Sequence, residues 1–315
     1  MAAKKVFILV ILVYLIIIFP LSLALLWSQP SVKTVSGSKL SLSNLAKTNS
    51  KLPNGNGAVT NIWIDSYQRL DVLKNSGVKY LIVDVGATNS DGTLKSTPQE
   101  INNFLNLITN YQKDRNYNFT LLPYSEINSY NTAVTSQTFI SNYITTYKEL
   151  SQRGFNGILV DIEPVQFSQR DSYISLLDSL KSDLPKSSII SVYAGPLIDD
   201  HTSEWAWDSQ FYRTVSQHVD LISASGYDTS LTDGAAYQLY IINQIKAISS
   251  ENLNSKVLFA LPTHKPYPEN FELALQAYSE GIKENPTQNI IGLTVFAEWT
   301  AKPQDWDLLR KFSFS

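Results

Sequence analysis

The sequence predicts a single (β/α)8 barrel, preceded by an apolar N-terminal segment and a linker. From residue 58 onward, short apolar runs typical of buried strands alternate with longer segments of helical period. Eight such runs fit one closed barrel, for which about 250 residues is the usual size. No glycine-rich phosphate loop follows the first run, which disfavours an open sheet that binds dinucleotides.

The predicted strands and helices alternate along the whole region. The strands are expected at residues 59–64, 80–85, 119–123, 157–162, 189–194, 221–227, 257–261 and 290–296. The helices are expected at residues 97–111, 136–153, 171–183, 236–249, 269–284 and 303–312. This alternation predicts parallel strands, whose carboxyl ends meet at one end of the barrel. That end is where barrels of this kind carry their functional sites.

The N-terminus has the pattern of a membrane segment. Lys4 and Lys5 precede an uncharged run at residues 6–27, and about 20 apolar residues are enough to cross a bilayer. We interpret residues 1–27 as a single-pass anchor in the cell membrane, with the lysines cytoplasmic and the rest of the chain extracytoplasmic. A cleaved signal peptide, which would make the protein secreted, is the alternative.

The segment between this run and the first strand has no clear period. Residues 28–57 are rich in Ser, Lys, Asn and Gly, a composition that predicts a flexible linker. The barrel domain is therefore expected at residues 58–315.

Composition excludes several classes of function. With 25 basic and 28 acidic residues the formal net charge is -3, so no electrostatic footprint for nucleic acid is present. The absence of cysteine excludes disulfides, thiolate zinc sites and a cysteine nucleophile. The three histidines are widely spaced. We therefore expect neither a metal nor a cofactor.

Carboxylates and aromatic residues cluster where the predicted strands end. They are Asp65, Asp84, Tyr124, Asp161, Glu163, Tyr193, Tyr227, Asp228, His264, Glu298 and Trp299. Aromatic faces stack on sugar rings, and carboxylates accept hydrogen bonds from hydroxyl groups and move protons. Together these residues predict a cleft that binds carbohydrate, with Asp84 and Tyr193 among its contacts.

The fourth strand carries the sharpest pattern, GFNGILVDIEP at residues 154–164. Because alternate residues of a strand share a face, Leu159, Asp161 and Glu163 are expected to point into the barrel. Asp161 then lies about 6–7 Å along the strand from Glu163. The pattern places two carboxylates at the mouth of the barrel.

This segment resembles the fourth strand of the glycoside hydrolases of family 18, the chitinase-like barrels, whose pattern is DxxDxDxE. Asp161 and Glu163 match its last two acidic positions, while Asn156 and Leu159 stand at the first two. DLISASGYD at residues 220–228 and GLTVFAEW at residues 292–299 are similar to the family's sixth and eighth strands, although a serine replaces the usual methionine in the former. The likeness spans roughly residues 58–312.

The resemblance implies a substrate-assisted retaining mechanism on oligo- or polysaccharides that contain N-acetylhexosamine, an exception to the usual two-carboxylate scheme. Glu163 would be the general acid and later the base. Asp161 would orient the substrate's acetamido group, and Tyr227 would hydrogen-bond its carbonyl oxygen. Asp228 would contact the sugar, and Trp299 would form the floor of the pocket.

Leu159 leaves two alternatives open. In the family this position supplies a carboxyl beneath the residue matched by Asp161, so its loss is compatible with a barrel that binds glycans without cleaving them. The other alternative is a conventional retaining glycosidase, with Glu298 as a second carboxylate opposite Glu163. If Glu298 is not catalytic, a substrate contact is expected of it.

Overall fold

The sheet closes because one stretch of chain pairs with two different neighbours. In the computed structural model, which describes residues 52–199 and 201–312, β3 pairs with β2 and β4 pairs with β5, and Ser125 separates β3 from β4. All pairings are parallel. The strands are Asn56–Asn61 (β1), Val78–Asp84 (β2), Thr120–Tyr124 (β3), Glu126–Asn128 (β4), Gly157–Glu163 (β5), Ile189–Ala194 (β6), Leu221–Ser225 (β7), Lys256–Pro262 (β8) and Ile290–Phe296 (β9).

The helices connect successive strands around this sheet. They are Tyr67–Asn75 (α1), Pro98–Arg115 (α2), Gln137–Arg153 (α3), Arg170–Asp183 (α4), Ser209–Ser216 (α5), Gly234–Ser250 (α6), Phe271–Glu284 (α7) and Pro303–Lys311 (α8). Five of them start after a polar residue whose side chain accepts a backbone N–H of the first turn, which satisfies a donor that the helix leaves free. These capping residues are Thr97, Ser136, Asp208, Asp233 and Asn270.

Strand alternation separates two apolar layers. Outward residues such as Ile158, Val160 and Ile162 pack in the core between sheet and helices. Inward residues fill the barrel itself with bulky side chains, as is usual for this architecture. This inner cluster contains Val59, Tyr80, Ile82, Leu122, Tyr124, Leu159, Leu221, Leu258, Ile291 and Ala297. The carboxyl groups of Asp161 and Glu163 lie beyond this layer, towards the carboxyl end of β5.

Each of the eight predicted strands is present, but the first lies earlier than expected. β1 begins at Asn56 rather than at residue 59, because Gly57 lets the backbone approach β9: a Cβ there would lie 2.7 Å from Thr294 Oγ1. The chain before it also contacts the barrel, since Gly55 N donates to Ile291 O at 3.0 Å. Pairing between distant strands thus overrides the linker-like composition of this segment.

One further strand boundary and two helices also differ from the sequence prediction. The strand expected at 221–227 ends at Ser225, before Gly226. α1 and α5 are short helices that the periodicity does not predict.

The expected membrane anchor at residues 1–27 lies outside the described residues, as does the linker up to residue 51. Within the part of the chain that the structure describes, no helix is both long and apolar enough to span a bilayer.

Candidate active site

A cavity of about 160 Å³ opens at the carboxyl ends of the barrel strands. Its lower wall is apolar and continues the inner cluster. Its upper wall carries carboxylates, hydroxyls and aromatic rings. The lining residues are Val59, Ile82, Tyr124, Glu126, Leu159, Asp161, Glu163, Tyr193, Ser223, Tyr227, Asp228, Ala260 and Phe296. Asp161, Glu163, Tyr193, Tyr227 and Asp228, all expected at the site from the sequence, are therefore brought into one cavity.

Asp161 and Glu163 lie on the inner face of β5, as the alternation predicts. Asp161 is only 7% exposed, and its Oδ1 has no hydrogen-bond partner among the described residues. Leu159, below it on the same face, is 2% exposed and belongs to the inner cluster. The pair therefore stands on an apolar base and faces the open end of the cavity.

Burial changes the protonation of both carboxyls. Desolvation, assisted by the charges of Asp161, Glu126 and Asp228, raises the pKa of Glu163 to about 9. Desolvation, assisted by Glu126 and Asp84, raises the pKa of Asp161 to about 7. Glu163 therefore holds a proton at neutral pH, which is the state that a general acid requires.

An aromatic wall faces these carboxyls. The rings of Tyr227 and Phe296 stack with centroids 4.9 Å apart, and the ring of Tyr193 lies 6.4 Å from that of Tyr227. The edge of His264 contacts both Tyr227 and Phe296. Desolvation raises the pKa of Tyr193 and Tyr227 well above the ordinary value, so both hydroxyls stay protonated and can donate hydrogen bonds.

The loop after β7 is held by residues that the sequence did not single out. Asp228 has a positive φ of 61°, a region in which aspartate is tolerated better than most residues. The buried carboxylate of Glu269 accepts the backbone N–H groups of Asp228 at 2.9 Å and Thr229 at 2.8 Å. Lys265 forms an ion pair with the Asp228 carboxylate. These contacts hold Asp228 at the mouth, and no sequence pattern marks them.

Two further carboxylates stand beside Asp161. Asp84 is at the end of β2, where its Oδ1 accepts Gly86 N at 2.8 Å; it is outside the cavity lining but close enough to raise the pKa of Asp161. Glu126, which lines the cavity, is paired in register with Asp161 across β4 and β5. The alternation of Leu122, Tyr124 and Glu126 would have identified Glu126, had the predicted third strand been extended beyond residue 123.

The structure corrects the expectation for Glu298. Its carboxylate pairs with Arg69, whose Nε lies 2.9 Å from Oε1, and it lines a separate cavity with Arg69 and Trp306. The strand alternation ends at Phe296, after which Glu298 N bonds Val59 O at 2.8 Å and the chain turns away. Glu298 therefore does not reach the cavity that holds Glu163.

Trp299 is likewise absent from the cavity lining, and it is 45% exposed in the loop after β9. It belongs to a set of exposed aromatic residues that all lie in loops following strands, on the same end of the barrel as the cavity. Among the described residues this set, which we call the aromatic rim, contains Trp63, Tyr130, Phe167, Trp205, Tyr267 and Trp299. Trp299, which was predicted to form the floor of the pocket, therefore lies in the aromatic rim.

Within residues 52–199 and 201–312, no group of three or more histidine, aspartate or glutamate side chains is arranged to hold a metal ion.

The chain has a (β/α)8 barrel fold similar to those of solved chitinases, and the resemblance to family 18 predicted from three strand motifs is confirmed at the level of the fold. The spore cortex-lytic enzyme SleL of Bacillus cereus superposes with a TM-score of 0.59 at 17% identity, over 84% of this chain and 75% of that one. A class V chitinase from Pseudomonas fluorescens Pf-5 gives 0.61 at 15% identity, over 82% and 98%. A GH18 chitinase from Pseudoalteromonas aurantia gives 0.57 at 12% identity, over 82% and 99%. No protein-family profile and no curated protein matches the sequence.

Proposed function

We propose that this protein is a glycoside hydrolase of the family 18 type, which cleaves glycans containing N-acetylhexosamine by a substrate-assisted retaining mechanism. One observation carries the proposal: Glu163, with a pKa raised to about 9, lines the same cavity as Asp161 and Tyr227. A proton donor, an acetamido-orienting carboxyl and a hydroxyl donor thus stand together. The fold shared with chitinases and SleL supports the same class of substrate.

In this mechanism Glu163 donates its proton to the glycosidic oxygen, and the leaving sugar departs as an alcohol. The carbonyl oxygen of the substrate's own acetamido group forms the new bond to the anomeric carbon. The Asp161 carboxylate accepts the acetamido N–H, and the Tyr227 hydroxyl donates to the acetamido oxygen. Glu163, now ionised, removes a proton from the water that attacks the anomeric carbon and restores the acetamido group.

The position of Glu298 favours this mechanism over the conventional one. A two-carboxylate retaining enzyme needs a second carboxylate about 5–5.5 Å from the first, on the other side of the bond that breaks. Glu298 is instead bound to Arg69 outside the cavity. Asp161 is beside Glu163 on the same strand, where it suits the acetamido group better than the anomeric carbon.

The aromatic rim supports a glycan that extends beyond the cavity. The cavity is small, at about 160 Å³, so a longer glycan must extend past its mouth. The rim side chains, between 40% and 63% exposed, provide faces on which further rings can stack. Trp299 and Asp228 are assigned here as glycan contacts outside the catalytic group. We also place the barrel outside the cell membrane, anchored through residues 1–27, or secreted if that segment is cleaved.

A substrate comparison tests the proposal. The full-length protein is expected to release fluorophore from a chito-oligosaccharide glycoside, and to leave the matched glycoside with free amino groups intact. The reason is that only the acetylated sugar carries the internal nucleophile. Equal hydrolysis of the two would contradict the substrate-assisted mechanism.

The second candidate function is glycan binding without cleavage, which Leu159 favours because it supplies no carboxyl beneath Asp161. This candidate predicts that the acetylated oligosaccharide is retained by the protein and never released as shorter products. Turnover of the acetylated glycoside in the same assay excludes it.

The pH dependence of activity should follow the raised pKa values of Asp161 and Glu163. We expect kcat/KM to rise as the pH passes about 7, where Asp161 ionises, and to fall as it passes about 9, where Glu163 loses its proton. The measurement is a pH–rate profile with the fluorogenic chito-oligosaccharide. An optimum near pH 4, with activity already lost at pH 7, would contradict these assignments.

A further inference from the structure

The loop between β8 and α7 binds the loop between β7 and α6 beside the cavity. Lys265 forms an ion pair with the Asp228 carboxylate, and the Tyr267 hydroxyl accepts the backbone N–H of Gly234 at 3.2 Å. A third residue of the same loop, Glu269, is only 7% exposed. A buried carboxylate needs hydrogen bonds to offset the loss of its hydration, so its partners show what it holds in place.

The Glu269 carboxylate is bound by two successive backbone N–H groups. Oε2 accepts Asp228 N at 2.9 Å, Oε1 accepts Thr229 N at 2.8 Å, and the Thr229 hydroxyl also donates to Oε1. Successive N–H groups that point the same way form a concave site for an anion. This backbone conformation includes the positive φ of 61° at Asp228, which is unfavourable for a residue that carries a side chain. Glu269 therefore supplies the acceptors that stabilise it.

Tyr227 lies between this anchored segment and another one. It follows the end of β7 and is therefore outside the strand ladder. Before it, Gly226 N donates to Ala260 O at 3.0 Å, and Gly226 O accepts the Tyr237 hydroxyl at 2.8 Å. After it, the first anchored atom is Asp228 N. Contacts of the two flanking residues thus set the path of the backbone through Tyr227.

The Tyr227 side chain needs this fixed path because ring packing alone leaves its hydroxyl loosely placed. The ring stacks on Phe296 with centroids 4.9 Å apart and lines the cavity. Stacked rings tolerate a range of offsets. A hydrogen bond, in contrast, weakens steeply when its distance or angle changes. The position of the hydroxyl therefore depends on the backbone at both ends of Tyr227.

We propose that Glu269 is a positioning residue, which holds the Tyr227 hydroxyl where it donates to the acetamido oxygen of the substrate. This inference rests on the proposed function. Glu269 lies outside the cavity lining and acts through the backbone of Asp228 and Thr229. A misplacement of about 1 Å in a positioned group costs on the order of 100-fold in rate. A carboxylate that never touches the substrate thus controls how well its acetamido group is bound.

The position of the Tyr227 ring is measured without turnover. In full-length protein with 13C-labelled tyrosine rings, the Tyr227 NMR signal is assigned by its disappearance in Tyr227→Phe. Glu269→Gln keeps the size of the side chain, but one of its two terminal atoms is a donor and cannot accept a backbone N–H. We expect the Tyr227 signal to shift and broaden in this variant, because the ring moves relative to Phe296. An unchanged signal would overturn the proposal.

Two further variants separate this effect from a general loosening of the loops. Glu269→Asp keeps the carboxylate, so its Tyr227 signal should lie between those of wild type and Glu269→Gln. Asp199→Ala is the matched control, because the Asp199 carboxylate also holds a neighbouring segment: it accepts Ser209 N at 2.6 Å and the Ser209 hydroxyl at 2.8 Å, outside the cavity lining. It should leave the Tyr227 signal unchanged, and an equal shift there would contradict a specific role of Glu269.

Thr229→Val keeps the proposal testable if the Glu269 variants do not fold. It removes the hydroxyl that donates to Glu269 and leaves both backbone N–H groups in place. We expect a smaller shift of the Tyr227 signal than a loss of the carboxylate produces, in a protein whose circular dichroism spectrum is that of wild type. A Tyr227 signal identical to that of wild type would then count against the proposal.

In an active enzyme the effects of Glu269 and Tyr227 should not be additive. Glu269→Gln is expected to lower kcat about 10- to 100-fold, with a smaller change in KM. Because Tyr227→Phe already removes the hydroxyl, adding Glu269→Gln to it should cost little more. Losses that multiply in the double variant would leave Glu269 with a structural role only. Absence of turnover in wild type would contradict the proposed function, whereas the NMR signal would still report whether Glu269 positions Tyr227.

Discussion

Glu163→Gln is expected to lower kcat about 10²–10⁴-fold on a fluorogenic chito-oligosaccharide, with a much smaller change in KM. The amide matches the carboxyl in size and preserves the contacts of β5, but it cannot give a proton to the glycosidic oxygen. General acid catalysis by a positioned side chain contributes a factor of this size. A loss confined to kcat indicates an interaction made in the transition state. Steady-state kinetics of the purified full-length variant provide the measurement.

Glu298→Gln is the matched control for this prediction. It makes the same change at a carboxylate that is bound to Arg69 outside the cavity. We expect kcat within a few-fold of wild type, and a circular dichroism spectrum like that of wild type for both variants. If Glu298→Gln lost as much activity as Glu163→Gln, the conventional two-carboxylate mechanism would replace the one proposed.

Gly157→Ala is expected to destabilise the barrel by about 3 kcal/mol or more, at the upper end of overpacking costs. Gly157 opens β5 and is paired with Ile189 of β6. An added Cβ would lie 2.0 Å from the Ile189 carbonyl oxygen and 2.7 Å from its carbonyl carbon. These are backbone atoms, so a rotamer change cannot relieve the overlap and the two strands must separate. Urea unfolding of the full-length protein measures the loss.

Gly77→Ala measures the conformational cost of a glycine substitution without the steric overlap found at Gly157. Gly77 has a positive φ of 73°, but its nearest non-neighbouring atom to an added Cβ is 3.8 Å away. The expected loss is therefore only the conformational cost of the left-handed region, about 1–2 kcal/mol. A Gly157→Ala protein no less stable than Gly77→Ala would show that β5 and β6 are not as tightly paired as described.

The two carboxyls on β5 illustrate what can be predicted from a chain alone. The run at 157–162 is apolar enough to be recognised as a buried strand, and alternation then puts Asp161 and Glu163 on one face. Both properties depend on residues adjacent in sequence. The structure places both side chains in the cavity, on the inner side of a strand with the predicted start.

Glu298 shows where the same reasoning fails. Alternation extended past the end of β9 would bring it to the mouth of the barrel beside Glu163. Instead the chain turns after Phe296, and the carboxylate binds Arg69, which is 229 positions away in sequence. A turn and an ion pair between distant helices and loops cannot be recognised from local composition.

The sequence by itself therefore determined eight of the nine described strands and their order, the inward face of β5 and the carboxyl end of the barrel as the place of the site. These follow from apolar period and chain direction, which are local. Only the tertiary structure decided that Glu126 stands beside Asp161, that Glu269 and Lys265 hold Asp228, and that Trp299 belongs to the rim. Those contacts depend on strand register and loop path, and both are set by packing between segments far apart in the chain.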